Sequence, residues 1–149
     1  MVDTKFAIEK RDLFTVPKDY ILCHCISADF ALGAGIAKKF AELGVKEELF
    51  KQYPNYKWQN TGACLHTKVT GWNEELSLVT KDRYFHKPTL TSLYQALCGY
   101  RDHLQNVGDK IAMPKIGCGL DRLKWDDVEQ IIKDVFADTD VEILVCDWR

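Results

Sequence analysis

Apolar and polar positions follow two rhythms along this chain, and the places where one gives way to the other mark its elements. "KFAIEKRDLF" alternates apolar and polar residues, which predicts a strand ending near Arg11. "YILCHCIS", Tyr20 to Ser27, is a dense apolar run of strand length and predicts a buried strand. In "ADFALGAGIAKKFAELG" the glycines come first, and Ile36, Phe40 and Leu43 then fall at helical spacing. That order predicts a strand, a glycine turn and a helix. "VKEELFKQY" predicts a second short helix, stopped by Pro54.

"TGACLHTKVT" and "ELSLVTKD" predict two strands joined by the polar turn "GWNE". "KPTLTSLYQALCGYRDHLQNVG" reads as a helix with Pro88 near its start, a cap from Thr89 or Thr91, and Gly108 just past its end. "KIAMP" is a short strand ended by Pro114. "KWDDVEQIIKDVFADT" places Val128, Ile131, Ile132 and Val135 on one side and acids in its first turn, as an amphipathic helix does. "DVEILVCDW" closes the chain as a strand. Strands and helices thus alternate, which predicts an α/β fold with helices on both faces of a sheet. The central hairpin makes that sheet mixed.

The length of 149 residues suits one domain able to bury its own core. A formal net charge of -2 provides no global field toward nucleic acid or membrane, though a small anion needs only local donors. No run approaches the roughly twenty apolar residues of a membrane span. The opening "MVDTKFAIEKRD" is charged and lacks the apolar segment of a secretory signal. The six cysteines are therefore expected to be reduced, in a cytoplasmic protein, with the nucleus as the alternative for a eukaryotic source. Cys23 and Cys25 form a C-x-C without a partner cluster, and the histidines lack ligand spacing, so no metal site is expected.

Three loops carry candidate chemistry, each at the carboxyl end of a predicted strand, where ligands of such sheets bind. Gly33, Ala34 and Gly35 open a helix after a buried strand. Free amides there suit a phosphate or diphosphate, although glycines also permit tight strand–helix packing. The spacing is neither a dinucleotide fingerprint nor a Walker loop. In "MPKIGCGLDRLKW", Gly117 and Gly119 bracket Cys118, and successive amides in such a turn can hold an anion. Asp121 follows at once. Either Arg122 or Lys124 neutralises it, or a reaction uses it; an exposed Asp–Arg pair is the alternative. In "LVTKDRYFHKPT", Lys81 ends an apolar strand. A lysine partly desolvated or crowded by other cations there, with Arg83 and Lys87 near in sequence, would serve as a nucleophile; a solvated strand end is the alternative. His24 is expected in the core, His66 and His103 as structural or exposed, and His86 either at a helix entry or against ligand.

Taken in order, "KRDLF", "CHCISADFALGAGIAKKF", "LVTKDRYFHKPT" and "MPKIGCGLDRLKW" resemble the macrodomain family over nearly the whole chain, Phe6 to Val145. More narrowly they are similar to its terminal ADP-ribose protein glycohydrolase branch, related to DarG-type macrodomains. The resemblance implies a three-layer α/β/α domain with ADP-ribose in a cleft at the strand ends. Asp12 would then accept a hydrogen bond from the adenine amino group, with Leu13 beside it. Ser27 and the segment Gly33, Ala34, Gly35, Ile36 would line the diphosphate and distal ribose. Pro114, Ile116, Gly117, Cys118, Gly119 and Leu120 would wrap it from the other side.

Lys81 and Asp121 match the branch's catalytic pair. The lysine would attack the anomeric carbon and displace a glutamate or aspartate ester. The aspartate would act as acid and base. O-Acetyl-ADP-ribose is an implied further substrate. The implied partners are ADP-ribose, ADP-ribosylated proteins and ADP-ribosylated nucleic acid, with no cofactor, no membrane and a monomeric state. A non-catalytic ADP-ribose reader and an ADP-ribose 1″-phosphate phosphatase are the competing functions. "ADFALG", "PNYKWQNTGACLHTKVTGWNEE" and the aromatic pair Tyr84 and Phe85 depart from the family pattern, and they bear on acceptor preference.

Overall fold

The computed structural model describes residues 5–56, 61–103, 109–119 and 121–147. Its elements run β1 (Lys5–Glu9), β2 (Tyr20–Ser27), α1 (Gly35–Glu42), α2 (Val45–Gln52), β3 (Ala63–Lys68), β4 (Glu74–Lys81), α3 (Leu90–His103), β5 (Lys110–Met113), α4 (Trp125–Val135) and β6 (Glu142–Cys146). The strands form one six-stranded sheet in the order β1-β6-β5-β2-β4-β3. β3 pairs antiparallel with β4, and every other pairing is parallel. The expected mixed sheet is therefore present, with its antiparallel member at one edge.

The alternation of side chains along a strand sends neighbours to opposite faces. In β2, Leu22 and Ile26 join a buried cluster with Phe40 of α1 and Leu49 of α2. Cys23 faces the other way, among Leu93 and Leu97 of α3 and Val128 and Ile132 of α4. The sheet is thus sandwiched between two helical layers.

Helix boundaries follow local chemistry. Thr89 caps α3, its Oγ1 accepting from the Ser92 amide at 3.0 Å while Ser92 Oγ accepts from the Thr89 amide at 3.1 Å. This reciprocal pair satisfies two amides that the helix start leaves open. The predicted continuation of α3 toward Gly108 lies outside the described residues. β1 stops at Glu9, earlier than the alternation predicts. Asp12 Oδ1 accepts from the Phe14 amide at 3.0 Å and turns the chain into a short 3-10 helix, Leu13–Thr15, which buries Leu13. α1 begins only at Gly35. Before it, Phe30 and Leu32 take left-handed φ values of 54° and 42° that no helix allows.

Beneath α1 lies a buried polar group. His24 Nε2 meets Glu75 Oε2 at 2.7 Å, and the His24 ring stacks on Phe40 with centroids 3.9 Å apart. Thr67 and Ser77 donate their hydroxyls to the same carboxylate at 2.7 and 2.6 Å. Hydrogen bonding to Glu75 is what lets β2, β3 and β4 carry polar side chains through the core.

Strand order positions the site. β5, β2 and β4 are neighbours, so the three loops leaving Met113, Ser27 and Lys81 emerge side by side. β6 and β1 continue the row in the same direction. From the end of β4 to the end of β1 is four strand spacings, about 19 Å at about 4.8 Å each.

Candidate active site

A cavity of 990 Å³ opens where those three loops meet. Such a volume sits at the upper end of the about 300–1,000 Å³ usual for small-molecule sites. Ser27, Gly33, Ala34, Gly35 and Ile36 line one wall, and Pro114, Ile116, Gly117, Cys118 and Gly119 line the other. Lys81 and Asp121 also line it. Asp12 and Leu13 line a smaller adjoining cavity of 290 Å³ that shares Ile36, Pro114 and Cys146 with the first. The two together follow the row of strand ends from Lys81 to Asp12. Leu120 lies outside the described residues.

One wall is a helix start prepared for an anion. α1 has no acidic residue in its first turn and no side-chain cap at Ala34, whereas α2 and α4 begin with Glu47 and Glu48, and with Asp126 and Asp127. The amides of its first turn are thus without a side-chain acceptor, at the positive end of the helix dipole, which suits an anion.

The other wall is a turn that only glycine allows at one point. Gly117 has a φ of +72°, and an added Cβ would stand 2.8 Å from Leu123 Cδ1. The Leu123 amide donates back to the Gly117 carbonyl at 2.7 Å, and the Cys118 amide to Lys115 at 3.2 Å. Gly119 differs: a Cβ there would meet nothing within 4 Å. Gly119 also lines the cavity.

Lys81 and Asp121 are brought together across this cavity. Lys81 Nζ donates to Asp121 Oδ1 at 2.6 Å, with each side chain 15% exposed. The partner of Asp121 is thus Lys81, in place of the sequence neighbours Arg122 or Lys124. Equally, the near neighbour of Lys81 is a carboxylate, where the sequence suggested crowding by Arg83 and Lys87. The pair is a candidate for nucleophile and proton acceptor.

Three thiols share the cavity wall, and burial disarms each. It pushes Cys25 up to about 12, helped by the charge of Asp121. It pushes Cys146 up to about 11 and also raises Cys118. A protonated thiol is a poor nucleophile.

Sequence reasoning missed Cys25, Ala31, Leu32, Tyr84 and Asp147, all on the wall. Asp147 follows β6 and holds Lys115 Nζ at 3.5 Å. Its only signal was its place after a closing strand. His86 is not on the wall, and its amide donates to the Arg83 carbonyl at 3.0 Å. His66 pairs with Glu74 at 3.6 Å, half-exposed.

The sheet order and this strand-end cleft define a macrodomain. The Thermus aquaticus DarG macrodomain superposes with a TM-score of 0.80 at 17% identity, covering 97% of this chain and 99% of that one. The Mycobacterium tuberculosis DarG macrodomain gives 0.75 at 19% identity, covering 99% of both chains. Sequence narrows the class. The chain is 43% identical over 141 residues to the human ADP-ribose glycohydrolase OARD1, which is 91% of this chain and 87% of the relative. The Bos taurus ADP-ribose glycohydrolase OARD1 matches to the same extent. No family model matches the chain. The chain belongs to the OARD1 family of macrodomain ADP-ribose glycohydrolases.

Proposed function

We propose that this protein is a hydrolase that removes ADP-ribose from glutamate and aspartate side-chain esters, and that it also deacetylates O-acetyl-ADP-ribose. The observation that carries this reading is the 2.6 Å contact between Lys81 Nζ and Asp121 Oδ1 on the wall of the cleft. ADP-ribose would lie along the row of strand ends, its adenine at Asp12 and Leu13 and its diphosphate between the α1 amides and the Gly117–Gly119 turn. Its distal ribose would then reach Lys81.

The amine of Lys81 attacks the anomeric carbon as Asp121 takes its proton. The new C–N bond forms as the bond between that carbon and the ester oxygen breaks, and the acceptor leaves as a carboxylate. A carboxylate needs no protonation to depart, which suits a site with one acid/base residue. Asp121 then assists water in cleaving the C–N bond, which releases ADP-ribose and regenerates the amine. No step calls for a cofactor.

The protein works in this proposal as a single-domain cytoplasmic monomer. Its acceptors are ADP-ribosylated proteins, with ADP-ribosylated nucleic acid as a further class. Among the described residues, no helix is long and apolar enough to cross a membrane.

The test is release of free ADP-ribose from a protein mono-ADP-ribosylated on glutamate. Wild type should release it, and Lys81→Ala should not. No release by wild type alongside tight ADP-ribose binding would make the protein a reader. Phosphate release from ADP-ribose 1″-phosphate, with no release from glutamate, would make it a phosphatase.

A further inference from the structure

Asp29 lies outside the catalytic pair, yet its carboxylate ties two of the three site loops together. Oδ1 accepts from Ser27 Oγ at 2.5 Å and from the Ala31 amide at 3.1 Å, both in the loop leaving β2. Oδ2 accepts from the Tyr84 amide at 3.0 Å, in the loop leaving β4. Each oxygen therefore meets a different loop. Burial would raise this carboxyl, but the Ser27, Tyr84 and Ala31 hydrogen bonds and the Arg83 charge outweigh it and hold it below the usual range.

The backbone around Lys81 depends on the same junction. Ile26 pairs with Val79, but Ser27 pairs with Lys81, so Thr80 is an extra residue on β4. Bulges of this kind re-aim the side chain that follows them. The Ala28 amide donates to the Lys81 carbonyl at 2.9 Å. The β2 loop is itself held in an unfavourable shape, with φ of 54° at Phe30 and 42° at Leu32, and Lys46 Nζ braces the Ala31 carbonyl at 2.9 Å. Such strain persists only where the surroundings impose it. On one side of the clamp Ala31 and Leu32 line the cavity, and on the other Lys81 and Tyr84 do.

We propose that Asp29 is a positioning residue: by holding the Ser27 hydroxyl and the Ala31 and Tyr84 amides at once, it sets the direction in which Lys81 meets the distal ribose. The inference rests on Lys81 being the nucleophile. Ligand grip by the α1 amides and the Gly117–Gly119 turn does not pass through the Tyr84 bond. Asp29 should therefore govern turnover more than affinity, because a small misplacement of a reacting group costs rate steeply.

Asp29→Asn isolates the effect. Its amide oxygen can keep Ser27 and Ala31, while its NH2 group faces the Tyr84 N–H and cannot accept from it. In the glutamate ADP-ribosyl release assay, Asp29→Asn should lower kcat about tenfold. Its Kd for free ADP-ribose by calorimetry should stay within about threefold of wild type, because the bonds to Ser27 and Ala31 on the ligand wall are kept. An unchanged kcat, or equal losses in kcat and affinity, would overturn the clamp.

Amide exchange at Tyr84 in the wild-type protein tests the same bond without any variant. Protection is expected, and fast exchange overturns the clamp even if Asp29→Asn fails to fold. Lys81→Ala in the same assay separates the two claims. Full turnover there overturns the nucleophile and the clamp with it, whereas an inactive Lys81→Ala beside an unaffected Asp29→Asn overturns only the clamp.

Discussion

Lys81 Nζ and Asp121 Oδ1 stand 2.6 Å apart, the first at the end of β4 and the second in the loop after β5, forty positions apart in the chain. At that distance no sugar fits between them, so in the proposed mechanism the distal ribose would meet the amine from the open side of the cleft. The carboxylate then lies behind the amine, where it can take the proton.

Lys81→Arg keeps a cation beside Asp121 but cannot supply a neutral nitrogen, since a guanidinium does not deprotonate in proteins. Turnover of a glutamate ADP-ribosyl ester should fall by about a thousandfold or more, while calorimetric ADP-ribose affinity changes only a few-fold. Equal losses in both would mean that the lysine binds ligand and does not react.

Gly119→Leu places its side chain where a Cβ meets nothing within 4 Å. The added Cβ meets no neighbour, so stability should shift by no more than about 0.5 kcal/mol. ADP-ribose affinity should drop at least about tenfold, because the side chain occupies the ligand's space. Calorimetry and a urea melt on the same sample check both. Gly117→Leu should instead destabilise the protein, because it forces a side chain into Leu123 at a φ of +72°.

Thiol alkylation has a pH dependence of known sign. Burial pushes Cys25 up to about 12, so at pH 8 its thiolate fraction is lower by on the order of a thousandfold than that of an ordinary thiol. Iodoacetamide should label it slowly at pH 8 and faster as the pH rises toward the shifted value. Hydrolysis should survive short treatment at pH 8, as followed by peptide mass spectrometry beside the activity assay. Fast labelling of Cys25 with parallel loss of activity would revive a thiol mechanism.

Glu75→Ala removes the acceptor shared by His24, Thr67 and Ser77, all buried. Leaving buried polar groups unpaired should cost about 3–5 kcal/mol, read as a lower urea midpoint. The site loops lie elsewhere, so the folded fraction should keep its ADP-ribose affinity.

Much of this was legible in the residues, and the physical reason is periodicity. Leu22 and Ile26 against Cys23, or Val128 and Ile132 along α4, announce their elements because one face must be buried. The glycine turns announced themselves because few other residues free backbone amides at a helix start or take a positive φ. Asp29 was not legible. A carboxylate in a loop looks the same in sequence whether it meets water or three donors on two loops, and only the adjacency of β2 and β4 brings Tyr84 to it. The residues near Asp121 in the chain leave its partner open between Arg122, Lys124 and a reacting group, since Lys81 is a neighbour only in space; only the family resemblance couples the two.

The central claim is that Lys81 forms a covalent bond to the distal ribose and that Asp121 helps to break it. Peptide mass spectrometry on Asp121→Ala, quenched during incubation with glutamate-ADP-ribosylated protein, tests it most directly. The account predicts an ADP-ribose mass increment on the peptide carrying Lys81, and none in Lys81→Ala. Hydrolysis by Asp121→Ala with no modification at Lys81 at any time point would contradict it.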